Sequence, residues 1–163
     1  MPSDDIYLGN PNLKKANTPV EFTADQISEF IKCKKNPVYF AKKYVQIVNL
    51  DEGLVPFAPY KFQEKLIKRF HKERFNICKM PRQTGKSTTV VAYLLHYAVF
   101  NDSVNIGILA NKAATARELL GRLQTAYENL PKWMQQGIIA WNKGSMELEN
   151  GSKILAASTS ASA

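Results

Sequence analysis

The run "KMPRQTGKSTTV" at residues 79–90 constrains this chain more than any other stretch. Its "TGKS", Thr84 to Ser87, carries the Gly-Lys-Ser of a phosphate-binding turn. Such a turn sits between the end of a β-strand and the start of an α-helix. There, backbone N–H groups form a nest, the helix N-terminus adds its positive dipole end, and the lysine reaches the β- and γ-phosphates. In that assignment Gly85 permits close approach, Lys86 is the cation, Ser87 is a Mg²⁺ ligand, and the helix from residue 86 supplies the dipole. Met80 stands where the G-x-x-x-x-G-K-[ST] pattern opens with glycine, so the run is a near miss. A tight strand-to-helix turn that happens to contain a lysine is the competing reading.

The flanks supply the required context. "RFNICKM" before the loop predicts a short strand, and "KSTTVVAYLLHYAVF" after it predicts an apolar helix buried on several sides. "SVNIGILA" (103–110) reads as a near-continuous apolar strand of a parallel sheet. "NKAATARELLGRLQTAYENL" predicts a helix with Ala113, Ala116, Leu119, Leu120 and Leu123 inward, stopped at Pro131. "GIIAWNKGSMELENGSKILAAS" predicts two or three strands, with Asn150-Gly151 as a hairpin turn. From residue 75 the order is strand, loop, helix, strand, helix, strands, the start of a right-handed βαβ sheet.

Upstream, residues 1–20 read as a flexible leader without apolar period. "FTADQISEFIKCKK" predicts a helix with Thr23 and Gln26 at capping-box spacing and Ile27, Phe30 and Ile31 on one face. Asn36-Pro37 ends it and opens "PVYFAKKYVQIV", a helix closing in a short strand; "LDEGLVPFAP" reads as a loop. "YKFQEKLIKRFHKE" predicts an amphipathic helix with Phe62, Leu66, Ile67 and Phe70 inward.

Charge narrows the partners. Lys and Arg number 22 against 14 Asp and Glu, a net charge of +8, with local clusters at "KCKK" (32–35) and "KLIKRFHKER" (65–74). A basic balance favours polyanions, nucleic acid above all, although a charge run can also be a solvated helix face. Cys33 and Cys78 lack CxxC spacing, which fits a reduced protein, and His71 and His96 stand apart from any cysteine cluster. No run of eighteen apolar residues is present, so no membrane span is expected.

Two further side chains bear on the loop. Arg82 lies four residues before Lys86, where a guanidinium can reach toward a γ-phosphate; its bland reading is a solvent-facing arginine. Gln63 beside Phe62 could read and stack on an adenine, since a carboxamide offers both donor and acceptor; its bland reading is an exposed helix residue.

The loop "MPRQTGKSTT", preceded by "PYKFQEKL" and followed by "VNIGILANKAATARELLGRL" and "WNKGSMELENGS", resembles the large subunit of tailed-bacteriophage DNA-packaging terminases, myovirus type. The resemblance runs through nearly all of residues 20–163. It implies an α/β P-loop NTPase fold (ASCE/RecA-like) with a parallel-sheet core, incomplete here, and a helical N-terminal extension. It implies an ATP-driven motor moving double-stranded DNA into a procapsid, with an endonuclease in the full-length protein. ATP and Mg²⁺ are the implied cofactors. The nucleotide residues would be Phe62, Gln63, Pro81, Gln83, Thr84, Gly85, Lys86, Ser87 and Thr88, with Ser87 on the metal and Arg82 and Lys86 catalytic. Double-stranded DNA, a portal protein, a small terminase subunit and further copies in a ring are the implied partners, in host cytoplasm.

On this basis residues 1–20 are expected to be a leader, 21–58 a helical subdomain, and 59–163 the first part of the ATPase domain. The family's acidic strand motif and nuclease carboxylates find no match in this sequence, so weak or absent hydrolysis is expected of the isolated chain. Two alternatives share the early motifs: a helicase-like remodelling ATPase, and a vestigial P-loop module that only binds nucleic acid or a partner.

Overall fold

The computed structural model of the chain describes residues 5–49 and 51–159. A four-stranded sheet forms from β5 (Asn105–Ala110), β6 (Ile138–Trp141), β7 (Ser145–Leu148) and β8 (Lys153–Ser158), preceded in the chain by β1 to β4. Its order is β5-β8-β7-β6. Only β5 and β8 run parallel; β8–β7 and β7–β6 are antiparallel. The expected parallel-sheet core is thus a mixed sheet. The cause is local: Asn150-Gly151 makes the predicted hairpin, with Gly151 at φ 81 and Met146 opposite Ile154.

Helix α4 (Lys86–Phe100) matches the apolar run and is buried through Thr89, Val91, Ala92, Leu95, His96, Ala98, Val99 and Phe100. Helix α5 (Ala113–Glu128) packs on α4, β5 and β8 through Ala116, Leu120, Leu123, Ala126 and Tyr127. The β7–β8 turn also closes the C-terminal end of α4. Asn150 Nδ2 donates to the Ala98 and Asn101 carbonyls, and Ser152 Oγ donates to Asn101 O.

One expectation fails where it matters most. The strand predicted over 75–80 is absent: these residues adopt no regular element, with Phe75 83% and Ile77 100% exposed. Apolar alternation marks a chain able to enter a sheet, but only ladder hydrogen bonds to a neighbour make it a strand, and residues 75–80 make none to a described strand. Among the described residues β5 pairs only with β8, so its outer edge stays open. For the same reason β5 is not fully buried: Ile108 is buried and Leu109 is 65% exposed.

The N-terminal half wraps α4. Helix α1 (Ala24–Lys35) carries the predicted capping box between Thr23 and Gln26, and α2 (Pro37–Tyr44) starts on Pro37 with Asn36 as its cap. The inward face of α1 is Phe30 and Cys33, whereas Ile27 and Ile31 are about half exposed. "LDEGLVPFAP" is not merely a loop: β4 (Gly53–Pro56) pairs antiparallel with β3 (Gln46–Asn49). Gly53 adopts φ 75, which glycine accepts without strain.

Residues in the presumed leader are tied down as well. Strands β1 (Ile6–Tyr7) and β2 (Asn10–Lys14) form a hairpin that buries Leu13. Lys14 N donates to Gln135 Oε1 (3.0 Å), Gln135 Nε2 donates to Asn12 O (2.9 Å), and Lys14 Nζ pairs with Glu149 (3.2 Å). These partners lie more than a hundred residues away in sequence, beyond the reach of local pattern. No described helix is long and apolar enough to cross a membrane.

Candidate functional site

Helix α3 (Lys61–Lys72) and the N-terminus of α4 meet at the loop 80–85. Gly85 is the N-cap of α4 in the left-handed region (φ 74, ψ 21), and no side chain caps the helix. By helix geometry the first amides of α4 then lack intrahelical acceptors and face the loop. Gln83 also has positive φ (61), whereas Met80 is not among the positive-φ residues. That answers the question raised by methionine at the first motif position: the backbone there asks for no glycine.

The loop curls onto its own lysine. Lys86 Nζ donates to Met80 O (3.0 Å) and to Pro81 O (2.6 Å). Thr84 Oγ1 donates to Pro81 O (3.0 Å), and Thr89 Oγ1 donates to Gly85 O (2.9 Å). The ammonium therefore sits at the mouth of the loop, held by carbonyl oxygens. An anion offering full negative charge would outbid those neutral acceptors. Ser87 is exposed in the first turn, Thr88 half-buried beside it, and Arg82 exposed on the loop with no ion pair to a described acid.

Gln63 joins this loop by an unexpected route. Phe62, predicted inward, is 44% exposed and stacks on Tyr60 (centroids 5.8 Å, planes 9° apart). Gln63 takes the inward position, at 4% exposure. Its Oε1 accepts from Tyr60 N (2.8 Å) and its Nε2 donates to Gly85 O (3.4 Å). The carboxamide thus braces the loop from below, while retaining one N–H and one lone pair for another partner. The reason lies on α3's other face: its exposed residues are largely basic, and Gln63 is the polar side chain whose hydrogen bonds can be satisfied inside.

Behind Lys86 and Ser87 lies an apolar cavity of about 250 Å³ lined also by Leu66, Cys78, Val90, Leu94, Ile108 and Leu119. Cys78 connects it to the unpaired segment and Ile108 to β5, so the loop rests on a loosely filled floor.

The described residues form a mixed α/β unit in which a lysine-bearing, glycine-capped turn opens its most buried helix. Residues 77–163 match the family model described as terminase large subunit, T4-like virus type, N-terminal. The chain belongs to that family, and so to bacteriophage DNA packaging. The matched region opens at Ile77, just before the loop, and includes α4, the mixed sheet and α5.

Proposed function

We propose that the loop 80–88 binds ATP with Mg²⁺ and that, in the terminase large subunit, its hydrolysis drives double-stranded DNA into a procapsid. The observation that carries this reading is Lys86, held on the Met80 and Pro81 carbonyls at the uncapped start of α4. On arrival of a triphosphate, Lys86 exchanges those carbonyls for phosphate oxygens. The amides of Gly85, Lys86, Ser87 and Thr88 close the nest, and Pro81, Gln83 and Thr84 shape its rim.

The donor set suits a hard cation. Ser87 offers an exposed hydroxyl beside the phosphate cradle, and Mg²⁺ held there would neutralise developing charge on the phosphates. Arg82, exposed on the loop with no ion pair to a described acid, stabilises the same charge. The Tyr60–Phe62 stack offers an aromatic face to adenine, and Gln63 meets its edge with the remaining amide hydrogen. Double-stranded DNA, a portal protein, a small terminase subunit and a ring of further copies complete the machine in this reading.

Titration with a fluorescent ATP analogue and Mg²⁺ tests it. Saturable binding that weakens at least about tenfold in Lys86→Ala, a loss of about 1.4 kcal/mol or more, supports the site. Binding of equal strength in both proteins would remove it.

A further inference from the structure

We propose that the outward face of α3 is a docking surface for the phosphate backbone of duplex DNA, centred on Lys61, Lys65, Lys68 and Lys72. This rests on the reading of the chain as part of a DNA-moving machine, and names the surface of that reading.

The four lysines follow one another at intervals of four, three and four residues, which places them in a single row along the helix. All four are exposed. From first to last the row spans roughly 16 Å at about 1.5 Å per residue. The opposite face is spoken for: Ile67 is fully buried, Gln63 braces the loop, and Phe70 packs on Tyr93 of α4.

Neighbouring lysines behave differently. On α2, Lys43 is paired with Glu29 and Lys42 with Glu64, each at 2.7 Å. On the α3 row, Lys61, Lys65 and Lys68 form no ion pair with a described acid. Lys72 meets Glu73 only at 3.8 Å with both side chains exposed, a contact of little energy. Glu64 is the one acid of α3; Lys61 and Lys68 help lower its pKa at longer range, but its close partner is Lys42. The row is thus a line of uncompensated positive charge on a rigid element.

The shape of that charge selects the partner. Duplex DNA carries one negative charge per about 1.7 Å of axis, so a 16 Å row can face several phosphates at once. A membrane-surface helix must turn its apolar face outward, and α3 turns Leu66, Ile67 and Phe70 inward. The row continues past the helix end to Arg74, whose guanidinium lies over the Phe75 ring (5.2 Å).

The test uses the 163-residue chain and a labelled DNA duplex, with affinity followed as a function of salt. Replacing Lys61, Lys65, Lys68 and Lys72 together by Gln should make the salt slope shallower by about 3.6, at about 0.9 per lost phosphate contact. Affinity at about 50 mM salt should fall at least tenfold. A matched set, Lys34, Lys35, Lys112 and Lys143 to Gln, removes the same charge elsewhere and should change the slope by less than about 1. Lys→Arg at the four α3 positions should preserve it.

Equal losses from the two Gln sets would overturn the proposal, since net charge would then suffice. So would failure of the wild-type chain to bind duplex, including the case in which it binds anionic vesicles instead. ATP-analogue binding measured on the same samples reports separately on the loop, because none of the four lysines lies in it.

Discussion

Gln63 Nε2 stands 3.4 Å from the carbonyl oxygen of Gly85, and a Cβ built on Gly85 would fall 2.6 Å from that same nitrogen. Helix α3 therefore reads the absence of a side chain at the loop's last position. Gly85→Ala combines a left-handed alanine with displacement of Gln63, at a cost of about 1–3 kcal/mol in stability. Its ATP-analogue affinity should fall at least tenfold, about 1.4 kcal/mol. Adding Gln63→Ala should relieve part of the stability loss, so the double variant melts higher than the sum of the single changes implies. Strict additivity in thermal unfolding would show that the two residues do not meet.

The exposed segment before the loop makes a second expectation sharp. Ile77 is fully exposed and Phe75 nearly so. Ile77→Ser should leave the stability of this chain within about 0.5 kcal/mol of wild type by denaturant unfolding. A loss of about 2 kcal/mol or more would instead mean that the segment packs as a core strand.

His96 gives the protein an acid-sensitive core. It is 1% exposed; Nε2 lies 2.9 Å from Cys33 O and so carries the proton, and Nδ1 has no partner. Burial, with a small contribution from nearby His71, lowers its pKa from 6.5 to about 4. The unfolded chain then binds the proton more readily than the folded one between pH 6.5 and about 4. Stability should fall as pH drops through that window, by on the order of 3 kcal/mol. His96→Phe should lose most of that slope in urea unfolding measured at several pH values; an unchanged slope would assign it elsewhere.

Glu29 ties α1 to α2. Its carboxylate accepts from Lys43 Nζ (2.7 Å), Tyr39 OH (2.9 Å) and Tyr44 OH (2.9 Å). The Lys43 hydrogen bond, above all, brings its pKa from 4.5 down to about 2. This contribution is complete above pH 4.5 and is lost as pH falls toward 2. Glu29→Gln should lower stability near neutral pH by about 1–2 kcal/mol and leave it less dependent on pH between 4.5 and 2. A variant as stable as wild type at neutral pH would make the cluster a surface feature.

Much of this was legible in the sequence because it is local. Thr23 and Gln26 cap α1, Pro37 opens α2, Lys86–Phe100 is one apolar helix, and Asn150-Gly151 turns a hairpin. Each follows from residues within a few positions of one another. What escaped depends on distant partners. Asn12 and Lys14 find theirs at Gln135 and Glu149; residues 75–80 leave the β5 edge unpaired; Gln63 is drawn inward by Gly85, twenty-two residues on. At the loop, the identity of the lysine and glycine was readable, but the carbonyls that hold Lys86 were not, because they depend on how residues 80–85 curl.

The most direct measurement follows the backbone amides of Gly85, Lys86, Ser87, Thr88 and Thr89 by heteronuclear NMR while ATP and Mg²⁺ are added. The expected result is saturable shifts concentrated on these amides, reached by about millimolar nucleotide and missing in Lys86→Ala. Amides that stay fixed throughout the wild-type titration, or that move equally in Lys86→Ala, would contradict a phosphate cradle at the start of α4.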